Sequence, residues 1–300
     1  MLELQGRKES LHALAFSADN RFLAVGGTAC RIDVWDLARP DAKRPLFPKL
    51  KRTVGDVWIG PEGSEIVAAE LYQGIYSRFR TGDPKAHELF APTLGDSAAA
   101  PRITPKGDGI VGGYRPRRWE VRRGLKPVWE APAMSGHDRQ VTAYAIAPDD
   151  QRLAAGEVLE WPNAASRIAV YNMAATDPPR EFGRVLTVVK RLAWSPDGGL
   201  LAAAVDTRVF VWTAAGAAAR EFQIAGRKHV IDLAFHPSGR WLAVADNSGT
   251  VRLLDPGTWT AARTFEWGLP KARCVRFSPD GTLAAAGSDT GKVVVWDVDV

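Results

Sequence analysis

Seven times along the chain a short apolar run ends in a large residue, a turn follows, and two more apolar runs come after it. Residues 272–300 show the unit most clearly. Cys274, Val275 and Phe277 lead into Ser278-Pro279-Asp280-Gly281, residues 283–287 form a second apolar run, and Val293-Val294-Val295-Trp296-Asp297 closes a third. Proline presets φ at one turn position and glycine accepts φ > 0 at another, so both breaks have a local cause. Valine and aromatic residues dominate the outer runs, as a pleated, packed surface favours. Each unit therefore predicts a strand, a turn and two further strands.

The large residue before the first turn recurs at Phe16, Ile59, Ile103, Ile146, Trp194, Phe235 and Phe277, at intervals of 43, 44, 43, 48, 41 and 42 residues. In six of the seven, Pro follows two residues later; Ala18 is the exception. A second landmark closes the third strand at Trp35, Phe79, Trp119, Tyr171, Trp212, Leu254 and Trp296. A period near 42 residues with four short strands per unit predicts propeller blades. The fold class expected is all-β: a seven-bladed β-propeller of four-stranded antiparallel blades in a single domain. Its repeats fall near residues 11–50, 54–91, 98–131, 141–187, 189–224, 230–266 and 272–300. The last repeat stops at its third strand, and residues 2–5 alternate in polarity. An open array would expose unpaired strand edges, so residues 2–5 are expected to supply the missing outer strand. The outer strand of the first blade is expected within residues 45–50.

The same residues resemble the WD-repeat β-propeller family. Trp35-Asp36 and Trp296-Asp297 carry its dipeptide, and Gly136-His137 matches the pair that opens a typical repeat. The other repeats depart from it, with Trp119-Glu120, Tyr171-Asn172, Trp212-Thr213, Leu254-Asp255 and Phe79-Arg80. The internal His-Ser-Asp-Trp network of the family is therefore expected to be largely absent, leaving apolar packing to hold the blades. The resemblance implies a non-enzymatic interaction scaffold.

At 46% apolar and 24% charged residues the composition is that of an ordinary globular protein. No run approaches the roughly 18 apolar residues of a membrane helix. The opening residues lack the features of a secretory signal, so a cytoplasmic location and free thiols at Cys30 and Cys274 are expected. Five scattered histidines offer no metal-ligand spacing, and no nucleophile elbow is present. Residues 287–292 are too closely spaced for a phosphate loop. No catalytic residue, cofactor or metal site is expected. A hydrolase or lyase in the central channel ranks last, because the first strands offer only the mixed set His12, Asp56, Arg102, Arg191, Asp232 and Arg276.

Charge changes the picture more. The chain carries a net +5, and residues 101–126 alone hold eight basic side chains against Asp108 and Glu120. On the third strand of that repeat, Arg118, Glu120 and Arg122 share one face and read either as an ion-pair ladder or as an anion-binding patch. Nucleic-acid or other polyanion binding through this third blade is the alternative function. Connections between repeats are mostly basic, with Arg7, Lys8, Lys51, Arg52, Arg139, Lys190, Arg191, Arg227, Lys228 and Lys271, whereas the first turns carry Asp19, Glu62, Asp108, Asp149, Asp150, Asp197 and Asp280. A field of one sign over a rim steers an oppositely charged partner. The candidate site is therefore a basic inter-blade face for an acidic protein or peptide. Its contributors are Lys51, Arg52, Arg115, Arg117, Arg139, Arg227 and Lys228, with Trp161, in the loop expected at residues 157–166, as the apolar anchor. The protein is expected to act as a monomer or within a hetero-complex, away from membranes.

Overall fold

The computed structural model describes residues 1–42, 44–45, 47–71, 75–90, 102–103, 109–112, 119–123, 126–130, 140–159, 165–175, 177–216, 220–224, 226 and 228–299. Among them the protein is all-β apart from one short 3-10 turn, Pro61–Gly63. Seven antiparallel sheets follow one another, six with four strands and one with three. They begin at Leu11–Phe16, Val54–Ile59, Arg102–Ile103, Gln140–Ile146, Val189–Trp194, Val230–Phe235 and Ala272–Phe277, and are called the first to seventh sheets below.

The two sequence landmarks occupy equivalent rungs. Phe16 pairs with Leu23, and Leu23 with Trp35. The same sequence of rungs recurs as Ile59–Ile66–Phe79, Ile146–Leu153–Tyr171, Trp194–Leu201–Trp212, Phe235–Leu242–Leu254 and Phe277–Ala284–Trp296. Register is thus set by which apolar side chains must face the same interface. Four residues after the first landmark stand Asn20, Gly63, Asp150, Gly198, Gly239 and Gly281, all at positive φ between 55° and 78°. These are the residue types that tolerate a left-handed backbone, so the first turn of each unit is fixed by composition. Three of these turns are further tied by a serine. Ser195 Oγ donates to Asp197 at 2.5 Å and Ser278 Oγ to Asp280 at 2.6 Å, while Ser17 does the same to Asp19. The Ser195 hydroxyl holds the Asp197 carboxyl below its usual range. The acids that read as one face of the molecule are largely turn-building groups.

A second regularity was not legible. The first strands of six sheets each carry a β-bulge near their start, between Leu11/Ala13, Val54/Asp56, Val141/Ala143, Val189/Arg191, Val230/Asp232 and Ala272/Cys274. A bulge adds local twist and re-aims the side chain beside it.

Leu2–Gln5 pairs antiparallel with Lys292–Asp297, Leu2 opposite Val295 and Gln5 opposite Lys292. It supplies the fourth strand of the seventh sheet, as expected. The first sheet departs from expectation: its three strands, Leu11–Phe16, Phe22–Gly27 and Ile32–Asp36, gain no fourth from the described residues of 45–50. Pro45 and Pro48 remove two N–H donors from that segment, so it cannot sustain a ladder. It packs instead. Phe47 and Leu50 are buried, Phe47 meets Phe79 edge-on at 5.5 Å, and Leu50 donates to Cys30 O at 2.8 Å. In the fourth sheet the second and third strands reach Val158 and Ser166, so the expected loop at 157–166 is confined to the residues between them.

First strands stand side by side: the first sheet's beside the second's, the second's beside the third's, and the fourth, fifth, sixth and seventh in succession. The seventh sheet's first strand also packs on that of the first. Apolar clusters fill the seams, such as Leu4, Leu11, Trp35, Cys274, Val293 and Val295 between the seventh and first sheets. Cys30 and Cys274 are both free thiols, and burial pushes Cys274 up to about 12. Among the described residues no helix is long and apolar enough to cross a membrane.

Candidate functional site

The connections into the first, second and sixth sheets lie at the same end as the turns between those sheets' second and third strands, because they bond each other. Arg52 N–H donates to Glu70 Oε2 at 2.7 Å, Ser10 N–H to Thr28 Oγ1 at 3.1 Å, and His229 N–H to Asn247 Oδ1 at 3.1 Å. Three of the predicted basic residues sit there in the open: Lys51, Arg52 and Lys228 are exposed. Arg115, Arg117, Arg139, Trp161 and Arg227 lie outside the described residues, as do the side chains of Arg118, Glu120 and Arg122. Of the candidate set, the described residues place Lys51, Arg52 and Lys228 at this end.

Acids temper this end more than the sequence pattern suggested. Glu70 is buried beneath Lys51 and Arg52; burial raises its carboxyl, against the backbone donors and the two cations. Asp206 meets His229 Nδ1 at 2.6 Å and Asp289 meets Lys271 at 3.8 Å. One basic residue counted among the connections, outside the candidate set, is corrected outright. Arg191 is buried within the first strand of the fifth sheet and ion-paired to Asp232, so it contributes nothing to a surface field. Its neighbour Lys190, the bulged residue, is exposed.

Arg191 belongs instead to a constellation that the sequence did not reveal. Asp232, fully buried on the sixth sheet, accepts Arg191 Nε from the fifth, Arg276 Nη1 at 2.7 Å and Val275 N–H at 3.0 Å from the seventh, and Leu233 N–H at 2.9 Å. Burial alone would raise its carboxyl, but the two guanidiniums outweigh it and hold Asp232 at about 2. Asp56, at the equivalent position of the second sheet, accepts Ile103 N–H of the third at 2.9 Å. Burial also opposes the Arg276 charge, yet Asp232 and Asp56 together hold that guanidinium above its ordinary range. Arg191, Asp232 and Arg276 thus tie the fifth, sixth and seventh sheets together, and Asp56 of the second adds its field to Arg276. Every partner is an ion pair or backbone donor, so the arrangement joins sheets and offers no general base aimed at open space. Spacing aligned Asp56, Arg191 and Asp232, each three residues before its unit's first landmark, but could not show which acids and arginines pair.

Other seams are stitched one bond at a time. Thr142 Oγ1 donates to Val189 O at 2.8 Å, and Trp194 Nε1 to Ala145 O at 3.1 Å. His236 stands where other turns have serine; its Nε2 donates to Gly281 O at 2.9 Å, and its Nδ1 accepts Ser238 N–H at 3.1 Å. No group of three or more metal-binding side chains occurs among the described residues.

The described residues form a repeated, closely packed array of antiparallel sheets. The WD domain, G-beta repeat model matches residues 1–36, 183–213, 221–255 and 268–297. Those four stretches are similar to WD repeats, as the resemblance implied, and such repeats generally mediate protein–protein contact. A curated relative is Protein HIR1 of Yarrowia lipolytica (strain CLIB 122 / E 150), 26% identical over 213 residues. The match takes in 56% of this chain and 19% of that protein. The chain therefore spans about a fifth of the length of the curated relative it matches.

Proposed function

We propose that the seven sheets are the blades of one closed propeller over residues 1–300, and that it is a non-enzymatic scaffold. It binds an acidic protein or peptide on its inter-blade face, in the cytoplasm, as a monomer or within a hetero-complex. Exposure of Lys51, Arg52 and Lys228 at the end where the connections gather is the observation that carries the reading. Convergence of the fifth, sixth and seventh sheets on Asp232, with the packing of the seventh sheet's first strand on that of the first, supports closure. Arg115, Arg117, Arg139 and Arg227 extend the basic face in this proposal, and Trp161 is its apolar anchor, since large aromatics at a rim make effective hot spots.

The test is affinity purification from the native cell with Lys51→Glu/Arg52→Glu/Lys228→Glu and Arg115→Ala/Arg117→Ala/Trp161→Ala variants. Loss of the same partners from both variants is expected; undiminished recovery removes the site. Binding of nucleic acid through residues 101–126 would instead show affinity falling steeply with salt, as released counterions require.

A further inference from the structure

The outer strand Leu2–Gln5 has one edge paired and one edge open. Gly6 N–H donates to Gly291 O at 2.9 Å. Antiparallel pairing alternates bonded and non-bonded positions, so Leu4–Val293 and Leu2–Val295 are the bonded rungs. The N–H and C=O groups of Glu3 and Gln5 therefore point away from the seventh sheet. They point toward a groove of roughly 590 Å³ between this strand and the first sheet. That size suits a bound ligand or a short extended segment. Its other wall includes Arg7, Asp33, Trp35, Pro40, Ala42 and Arg44.

The charges around the groove balance, Arg7 and Arg44 against Asp33 and Asp41, and Lys292 against Glu3, but two guanidiniums meet at its floor. Arg7 and Arg44 both turn to the single buried carboxylate of Asp33, at 3.7 and 3.5 Å. Arg44 Nη1 is buried without a hydrogen-bond partner, and the guanidinium lies 4.7 Å over the Trp35 ring. Glu3, the acid on the strand itself, is neutralised by Lys292 at 3.0 Å; Asp41 is exposed. Two arginines sharing one carboxylate retain donors for a second.

We infer that this groove takes an extended acidic segment of a partner protein, which adds as a strand to the open edge of Leu2–Gln5 and sets a carboxylate side chain against Arg7 and Arg44. Main-chain bonds supply affinity in such strand addition, and the side-chain pocket supplies selectivity. Arg7 belongs to one of the basic connections, but none of Lys51, Arg52 and Lys228 lines the groove, so the two readings are tested by different variants.

The experiment uses a fluorescein-labelled peptide of alternating Val and Glu, and its counterpart with Gln for Glu, titrated by anisotropy against the full chain. The Glu peptide is expected to bind about tenfold tighter, the scale of one charge-assisted pair. Arg7→Gln/Arg44→Gln should erase that difference. Glu3→Pro deletes the outward N–H together with the Lys292 ion pair, so it should weaken both peptides more than Glu3→Gln, which loses the ion pair alone, while leaving the strand paired. Lys51→Glu/Arg52→Glu/Lys228→Glu should leave binding intact. Failure of the Glu peptide to bind, or binding unchanged by the arginine pair or by Glu3→Pro, overturns the inference. So does loss confined to the Lys51/Arg52/Lys228 variant, which would move the peptide to the inter-blade face. Sedimentation showing self-association that Glu3→Pro abolishes would overturn it too, assigning the edge to a second copy of the chain.

Discussion

Replacing Asp232 with Ala is the sharpest perturbation available in the core. The substitution orphans four donors at once: Arg191 Nε, Arg276 Nη1, Val275 N–H and Leu233 N–H. Removing one partner of a buried charge network leaves uncompensated charge, at a cost of about 3–5 kcal/mol. Three sheets lose their common tie, so the loss should appear in the whole transition rather than in local fraying. Asp232→Asn should fall between the wild type and Asp232→Ala. It preserves shape, but its amide offers only one acceptor oxygen and turns N–H donors toward a guanidinium. Ala13 and Ala143 occupy the equivalent strand position elsewhere, so the backbone does not require charge there. The apolar triple Asp232→Leu/Arg191→Met/Arg276→Met should therefore recover most of the stability lost in Asp232→Ala, as swaps of a whole buried network often do. Urea unfolding followed by tryptophan fluorescence measures all three. A loss below about 1 kcal/mol for Asp232→Ala, the size of an ordinary surface substitution, would refute the assigned role.

Trp296→Ala should cost about 3–5 kcal/mol, because the ring is buried against Trp267 at 4.4 Å and Phe265 at 5.5 Å. Trp296→Phe should cost much less in the same denaturation assay, since the indole Nε1 has no hydrogen-bond partner to lose. Burial holds His236 below its usual range, so folding favours the neutral ring. Its stabilisation is complete above about pH 6.5 and is lost as pH falls from there through the folded value. Melting temperature should decline over that window and decline less in His236→Ser, the residue used in equivalent turns. Gly291→Ala should destabilise strongly by thermal melting, because φ is +80° and a Cβ would stand 1.7 Å from Arg7 O.

The repeat, its landmarks and the outer strand from residues 2–5 were legible because each is a local pattern. Large apolar residues recur at equivalent rungs, and Gly, Asn or Asp recurs where the backbone turns left-handed. The missing fourth strand of the first sheet was also within reach: Pro45 and Pro48 flank the run that apolar content alone makes strand-like. The Asp232 cluster was not. Asp56, Arg191 and Asp232 share one repeat position and stand with Arg276 on first strands, but only the packing of those strands on one another shows which of them pair. Charge patterning misled at Arg191, where a basic residue beside a connection is drawn inward by a buried acid. It also overstated the acidic end, where Asp197 and Asp280 are spent on their own turns.

Hydrogen exchange on a chain lacking residues 1–6 tests closure most directly. The Val293 and Val295 amides are the ones that alternation pairs with the outer strand. Both should lose protection in the truncated chain, while the Val294 amide, bonded on the other side to the second strand, changes less at first. Unchanged protection at Val293 and Val295, with an unchanged melting temperature, would contradict a propeller sealed by its own first residues.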